Sequence, residues 1–308
     1  MGLAGTKIAR CLAPLGLVCV PHAATAQGAN HAVGADIFFS TDTDDTQVAR
    51  LAAQFDLRND DPEHRIGLRL EKAIYDFQGL NREERDRVYL QAADVSGGWS
   101  WNVRAGTDGD TLIGSASVHD DTKFRKEFFA ERDVVETPQG LSRGLYSTFV
   151  GALIDLPVDD RNIVTVLTGI QEFTGANERL HVRANYIHVL NPALGLSAQI
   201  RGRYFYSTHP REYDYYSPRW YSQLLPVLQM RRFIDGWELL GAGGVGAQRD
   251  SSSKWRRSDF AQFRIRTPAM RVWSGYGELT YSSSPSDSSA VNGSYGYFQS
   301  MIGVTRRF

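Results

Sequence analysis

Residues 50–58, "RLAAQFDLR", alternate between apolar and polar side chains almost without interruption. In an extended chain, successive side chains point to opposite faces. One face of this segment carries Leu51, Ala53, Phe55 and Leu57. The other face is mainly arginine, glutamine and aspartate. The segment therefore predicts a strand with one face in an apolar medium and the other in water.

The same period of two recurs along the rest of the chain. Residues 99–105, 180–186 and 196–206 alternate in the same way, and the predicted strands are about 9 to 13 residues long, which suits a tilted strand that crosses a membrane. A β-sandwich fits less well, because its strands have about 5 to 6 residues and its interior is aliphatic. No apolar run approaches the roughly 20 residues of a spanning helix.

A sheet in hydrocarbon must close on itself, because each strand needs a hydrogen-bonded partner on both edges. The sequence therefore predicts an all-β fold, a closed antiparallel up-and-down transmembrane β-barrel of 12 to 16 strands. Two places leave the count open. Pro268 lies either in a bulge of one strand or between two strands, and the charged residues 80–87 favour a solvated loop.

The start of the chain has the features of an export signal. Two basic residues precede an apolar stretch at 11–20, and small residues follow at 24–26, so residues 1–26 are predicted to be a signal peptide. Residues 27–46 are expected to form a short N-terminal segment, and residues 47–308 the barrel. Export together with amphipathic strands predicts the bacterial outer membrane as the location, with its lipid around the barrel.

The composition excludes several classes of protein. Only 5 of the 34 basic residues are lysine and the formal net charge is -1, so no basic run suggests nucleic acid as a partner. Both cysteines, Cys11 and Cys19, lie in the predicted signal peptide, which leaves no thiol for a disulfide or a metal site. Tyrosine and tryptophan recur near strand ends, as the headgroup layer of a membrane favours.

Residues 298–308, "FQSMIGVTRRF", form an alternating strand that ends on an aromatic side chain. This pattern resembles the C-terminal signal by which the barrel-assembly machinery recognises bacterial outer-membrane proteins. The resemblance gives Phe308 the role of the assembly signal. Arg306 departs from the pattern, which prefers an aromatic or apolar residue there.

Residues 213–250 resemble the C-terminal barrels of exopolysaccharide exporters, namely the cellulose synthase C subunit and the poly-N-acetylglucosamine exporter. The order Tyr215, Tyr216, Ser217, Pro218 precedes an aromatic-rich strand, a basic turn and a glycine-rich strand. The resemblance implies an outer-membrane pore that exports a polymer such as cellulose in biofilm formation. Those exporters have a periplasmic array of helical repeats before the barrel. A separate helical-repeat protein and a synthase complex are therefore expected as partners.

The polar faces of the strands should line the lumen. The side chains expected to face it are Arg69, Arg104, Arg183, Gln199, Arg201, Arg203, Arg231, Arg264 and Arg271. An arginine-lined interior attracts anions and donates hydrogen bonds in a fixed fork. Carboxylates such as Glu71 and Asp56 are also available, so two readings stay open: a permeation path, or a structural network of ion pairs.

Catalysis and metal binding have little support in the sequence. Four histidines could act with a nearby serine or threonine, but none belongs to a recognisable motif; they are His119, His181, His188 and His209. Residues 42–45 lack the glycine and the distal glutamate of a calcium loop. We expect no enzyme and no cofactor. Polysaccharide export is the leading function, with a general or anion-preferring porin and an outer-membrane hydrolase as alternatives.

Overall fold

The structure is a computed structural model that describes residues 30–268, 272–285 and 295–308. Its sixteen strands are β1 Ala32–Asp42, β2 Gln47–Asp61, β3 His64–Asp76, β4 Glu83–Ser96, β5 Trp99–Thr107, β6 Leu112–Asp120, β7 Lys126–Val134, β8 Tyr146–Pro157, β9 Asn162–Phe173, β10 Glu178–Asn191, β11 Leu196–Ser207, β12 Trp220–Ile234, β13 Trp237–Asp250, β14 Arg256–Arg266, β15 Trp273–Ser282 and β16 Tyr297–Arg307. A short helix, α1 (Pro138–Arg143), lies between β7 and β8, and a 3-10 turn, Pro192–Leu194, lies between β10 and β11.

The strands form one closed antiparallel barrel. Each strand pairs with its neighbours in sequence, and β16 pairs with β1 from Ala32 opposite Arg307 to Asp42 opposite Tyr297. The predicted up-and-down barrel is confirmed, at the upper end of the expected strand number. The predicted signal peptide, with both cysteines, lies outside the described residues.

Two boundaries differ from those that the sequence suggested. The barrel begins at Ala32 and not at residue 47, because β1 pairs along its length with both β2 and β16. The charged stretch 80–87 is partly strand, since β4 begins at Glu83. Of the two alternatives for Pro268 the second holds, because it lies between β14 and β15, which are two separate strands.

The outward face of the barrel is a belt of large apolar side chains. Leu70 and Leu90 are 54% and 68% exposed, and similar residues recur on every side of the barrel. Water would penalise so large an apolar surface, whereas hydrocarbon does not. The barrel therefore spans a membrane. Among the described helices, none is long and apolar enough for a membrane span.

The two ends of the barrel differ in their connections. One end has both described termini and several two-residue turns, such as Asp235 and Gly236, whose φ angles of 50° and 79° suit a tight hairpin. The other end has longer connections at 135–145, 208–219 and 283–296. Outer-membrane barrels have short periplasmic turns and longer outer loops. The termini therefore lie at the periplasmic end.

The interior of the β1–β8 wall is held by buried charges. The Arg69 guanidinium donates to Asp36 Oδ1 at 2.8 Å and to Glu71 Oε2 at 2.9 Å. Glu71 also accepts from Arg87 at 3.2 Å, and Arg87 lies 3.1 Å from Asp133. We call these five residues the ion-pair network. It links β1, β3, β4 and β7 across the inside of the barrel.

The last residues are fixed by backbone pairing and by stacking. The Phe308 N–H donates to the His31 carbonyl at 2.9 Å. The Arg306 guanidinium lies over the rings of Trp273 and Phe308, at 5.5 Å and 4.9 Å from their centroids. Arg306 therefore departs from the usual terminal pattern but still supports the aromatic residues at the periplasmic rim.

Removal of Phe308, or Phe308→Asp, should reduce the amount of assembled barrel, because closure and recognition both involve this residue. The measurement is the fraction of protein in outer membranes that runs as a compact, heat-modifiable band. Ser300→Ala, on the same outward face of β16, is the control. Normal assembly of both Phe308 variants would contradict the assignment.

Arg69→Gln should destabilise the barrel, because it leaves Asp36 buried without its cation and removes one of the two guanidinium groups that contact Glu71. Loss of one partner of a buried pair costs about 3–5 kcal/mol. The temperature at which the heat-modifiable band converts to the unfolded form should fall clearly. Lys72→Gln removes an exposed ion pair on β3 and should leave that temperature nearly unchanged. Equal conversion temperatures for the two variants would refute the role of the network.

Candidate functional site

The inner surface of β10–β12 carries the most unusual group of side chains in the lumen. Barrels of 16 strands are wide enough to leave an aqueous channel. Arg183, Arg201 and Arg203 line a cavity of about 340 Å³ together with Asn185, Gln223 and Phe260. No aspartate or glutamate lies among the described residues that line this cavity. We call it the arginine cavity.

Backbone register brings the three arginines together. Arg183 on β10 pairs directly with Arg203 on β11, and Arg201 is two residues before Arg203 on the same strand. All three side chains therefore point into the barrel, as predicted. Like charges directly opposite each other on a sheet are destabilising.

Arg201 and Arg203 contact amides and aromatic rings. Arg201 Nε donates to Gln199 Oε1 at 3.0 Å, and its guanidinium lies 4.8 Å from the centroid of Phe260. The Arg203 guanidinium lies 5.6 Å from the ring centroid of Phe205 and 5.5 Å from that of Tyr221. Neither arginine forms an ion pair with a described residue. Arg203 Nε is buried and has no hydrogen-bond acceptor.

A row of rings lies on the outer side of the arginine cavity. We call it the aromatic arc: Phe129, Phe149, His181, Phe205 and Tyr221. Neighbouring ring centroids are 5.1 Å apart between Phe149 and His181 and again between Phe205 and Tyr221. The sequence reasoning missed this feature. The signal was present, because each of these rings lies on the polar face of its strand.

The other predicted lumen residues have carboxylate or aromatic partners. Arg69 belongs to the ion-pair network, and Arg104 lies over the Tyr89 ring at 5.9 Å. Arg231 Nε is 2.9 Å from Glu238, and Arg264 Nε is 2.6 Å from Glu278. Arg271 lies outside the described residues. The ion-pair reading therefore holds for Arg69, Arg231 and Arg264. The permeation path stays a prediction.

The four candidate catalytic histidines lie in separate places. His119 is on β6, 3.7 Å from Asp121, and His209 is in the loop after β11. His181 and His188 lie on opposite faces of β10, where His181 contacts Gln171 at 3.0 Å within the aromatic arc. The structure does not bring the four together.

The outer end of the lumen is filled by two connections that fold inward. We call residues 135–145, which include α1, the first outer loop, and residues 208–219 the second outer loop. Inward-facing Arg50 of β2 contacts Glu136, and Arg85 of β4 donates to the Leu141 carbonyl at 3.0 Å. Leu141 and Leu145 are buried. The first outer loop therefore lies inside the barrel rim.

Asp214 joins the two outer loops. Its Oδ1 accepts a hydrogen bond from Thr137 Oγ1 at 2.6 Å, and its Oδ2 accepts from the Gln139 N–H at 2.8 Å. These donors lie at the start of α1. The adjacent Tyr215 stacks on Phe173 of β9, with ring centroids 4.3 Å apart and planes 8° apart. The outer mouth is therefore covered by two connected loops.

The family motif Tyr215, Tyr216, Ser217 and Pro218 lies in the second outer loop. Tyr216 donates to Asp250 at 2.9 Å, and burial together with this carboxylate raises the pKa of Tyr216. The phenol therefore stays protonated as a donor. Ser217 Oγ accepts from the Arg211 N–H at 2.9 Å, and Pro218 is buried. The motif keeps the loop folded against the inner wall.

The closed sheet, the apolar belt and the polar lumen define the class of protein. It is a bacterial outer-membrane β-barrel pore.

Comparison with solved structures agrees with that class. A structure named bacterial polysaccharide outer membrane secretin is similar over 92% of this chain and 100% of its own, with a TM-score of 0.64 and 14% identity. The expected resemblance to exporter barrels is confirmed for the fold. No family model matches the sequence, and no curated protein is similar to it.

Two porin structures are less similar. They are Pseudomonas putida OprB at high pH (TM-score 0.37, 8% identity, 91% of this chain and 94% of that one) and Pseudomonas aeruginosa OccK11 (TM-score 0.43, 8% identity, 91% and 96%). Because these TM-scores are low, we draw no conclusion about this chain from the two porin structures.

Asp214→Ala should loosen the two outer loops and raise the conductance of single barrels in planar bilayers, because it removes both hydrogen bonds between the loops. The control is Ser142→Ala in α1. The Ser142 hydroxyl donates to the Pro138 carbonyl of the same helix, so its loss should leave conductance unchanged. Unchanged conductance of the Asp214 variant would mean that these loops do not limit the passage.

Proposed function

We propose that this barrel exports a polysaccharide across the outer membrane. The observation that carries the proposal is the inner wall at β10–β12, where guanidinium groups line a cavity and a row of aromatic rings follows it toward the outer mouth. Sugar hydroxyls accept hydrogen bonds from the planar fork of arginine, and the C–H faces of sugar rings pack on aromatic rings. A chain of sugars can form both contacts repeatedly as it moves.

Three further points support export. A lumen enclosed by 16 strands has room for a polymer chain. The similar fold named polysaccharide secretin and the motif at 215–218 favour the same function. The exported polymer is then an exopolysaccharide of biofilms, for which the sequence resemblance by itself suggests cellulose or a related polymer. Its delivery requires a synthase complex and a separate periplasmic helical-repeat protein, and assembly of the pore requires the barrel-assembly machinery.

The arginine cavity also favours a second function, an anion-preferring porin. Small anions would concentrate beside its guanidinium groups. An enzymatic function has less support, because the four candidate catalytic histidines lie apart. We propose that the protein is not an enzyme.

Deletion of the coding sequence should remove surface polysaccharide while uptake of small anions stays normal, because a polymer exporter leaves nutrient porins in place. Surface polymer is measured by monosaccharide analysis of washed cells, with synthesis followed as polymer retained in the periplasm. Expression of the wild-type chain should restore the surface polymer. Unchanged surface polymer with reduced anion uptake would favour the porin.

A further inference from the structure

We infer that the arginine cavity is a binding site for the carboxylate of an acidic sugar, so that the polymer is an acidic polysaccharide. This inference rests on the proposed export function and specifies its substrate class. An oxyanion is the shared chemistry of an acidic polymer and of a free small anion. The observations favour the polymer.

The first argument is the contrast with the other inward arginines. Arg69, Arg87, Arg231 and Arg264 each have a carboxylate within 3.2 Å. These four are balanced by carboxylates, whereas Arg104 lies over the Tyr89 ring and has no ion pair among the described residues. Arg201 and Arg203 have no such partner among the described residues, and no carboxylate lines their cavity.

The second argument is the cost of this arrangement. A guanidinium that is largely removed from water without a counter-charge is destabilising. A bound anion would offset this cost. The cavity is therefore complementary in charge to a ligand that carries carboxylates.

The third argument is the kind of contact that the two arginines make. The guanidinium carbon of Arg201 lies 4.8 Å from the Phe260 ring centroid, and that of Arg203 lies 5.6 Å and 5.5 Å from the centroids of Phe205 and Tyr221. An aromatic ring is not a strong hydrogen-bond acceptor, so these contacts leave N–H donors for a ligand. The rings also hold the side chains in place. Arg201 and Arg203 are about 6.7 Å apart along the strand, from the usual rise per residue.

The fourth argument is the position of the aromatic arc. Its member Phe205 lies on β11, two residues beyond Arg203 in the direction of the outer mouth. A polymer whose carboxylate is held by the arginines would place its neighbouring sugar rings against the arc. A free phosphate could use the arginines but would gain nothing from the rings. The combination fits an acidic sugar chain better than a small anion.

The test is isothermal titration calorimetry of the intact barrel in detergent with tetragalacturonate, cellotetraose and inorganic phosphate. We expect tetragalacturonate to bind at least about tenfold more tightly than either of the others, because charge-assisted hydrogen bonds add to stacking. Arg201→Gln with Arg203→Gln should weaken the binding of tetragalacturonate by about tenfold or more and that of cellotetraose much less. The matched control is Arg264→Gln, which removes an inward arginine of β14 that is paired with Glu278.

Each other outcome overturns the inference in a recognisable way. Equal binding of phosphate and tetragalacturonate would indicate a small-anion site. Tighter binding of cellotetraose would overturn the acidic substrate and leave polysaccharide export standing. Binding of no sugar, together with anion conductance, would overturn both proposals. The comparison of ligands on the wild-type barrel decides these cases even where the double variant fails to give a heat-modifiable band.

Discussion

The pairing of β16 with β1 is the contact on which the rest of the structure depends. Hydrocarbon offers no hydrogen-bond partner to a free strand edge, so an open sheet of this kind would leave a row of backbone groups unsatisfied. Closure along the whole of β1, from Ala32 to Asp42, removes both edges at once. It also decides which face of each strand meets lipid.

Closure creates a second problem, because every polar side chain of the inner face is then confined with its neighbours. The chain solves it differently on the two sides of the lumen. The β1–β8 side pairs its charges, as Arg69 does with Asp36 and Glu71. The β10–β12 side leaves Arg201 and Arg203 among amides and rings. One side therefore supports the wall, and the other offers donors to a ligand.

The two outer loops lie at the outer end of the lumen, where specific contacts hold them. Asp214 and Tyr215 come from one loop and contact the start of α1 and Phe173 of β9. These contacts hold both loops against the inner wall at the outer end of the barrel.

The sequence alone determined the class of fold, because the alternation of side chains is local. A segment such as 50–58 or 196–206 reveals which of its residues share a face without knowledge of its neighbours. The same reasoning placed Arg201 and Arg203 in the lumen. It failed at residues 32–42, where Ala32, Gly34 and Phe38 on the inward face blur the alternation. It also failed at 83–87, where Glu84 and Asp86 place charges on the outward face.

Only the tertiary structure decided what each inward side chain does. Arg69 and Arg201 look alike in the sequence, since both lie on the polar face of an amphipathic strand. Arg69 meets a carboxylate on β1, 33 residues away, whereas Arg201 meets Phe260 from β14. Likewise Asp214 reaches Thr137 across 77 residues. Partners of this kind depend on barrel closure and strand register, which no local pattern contains.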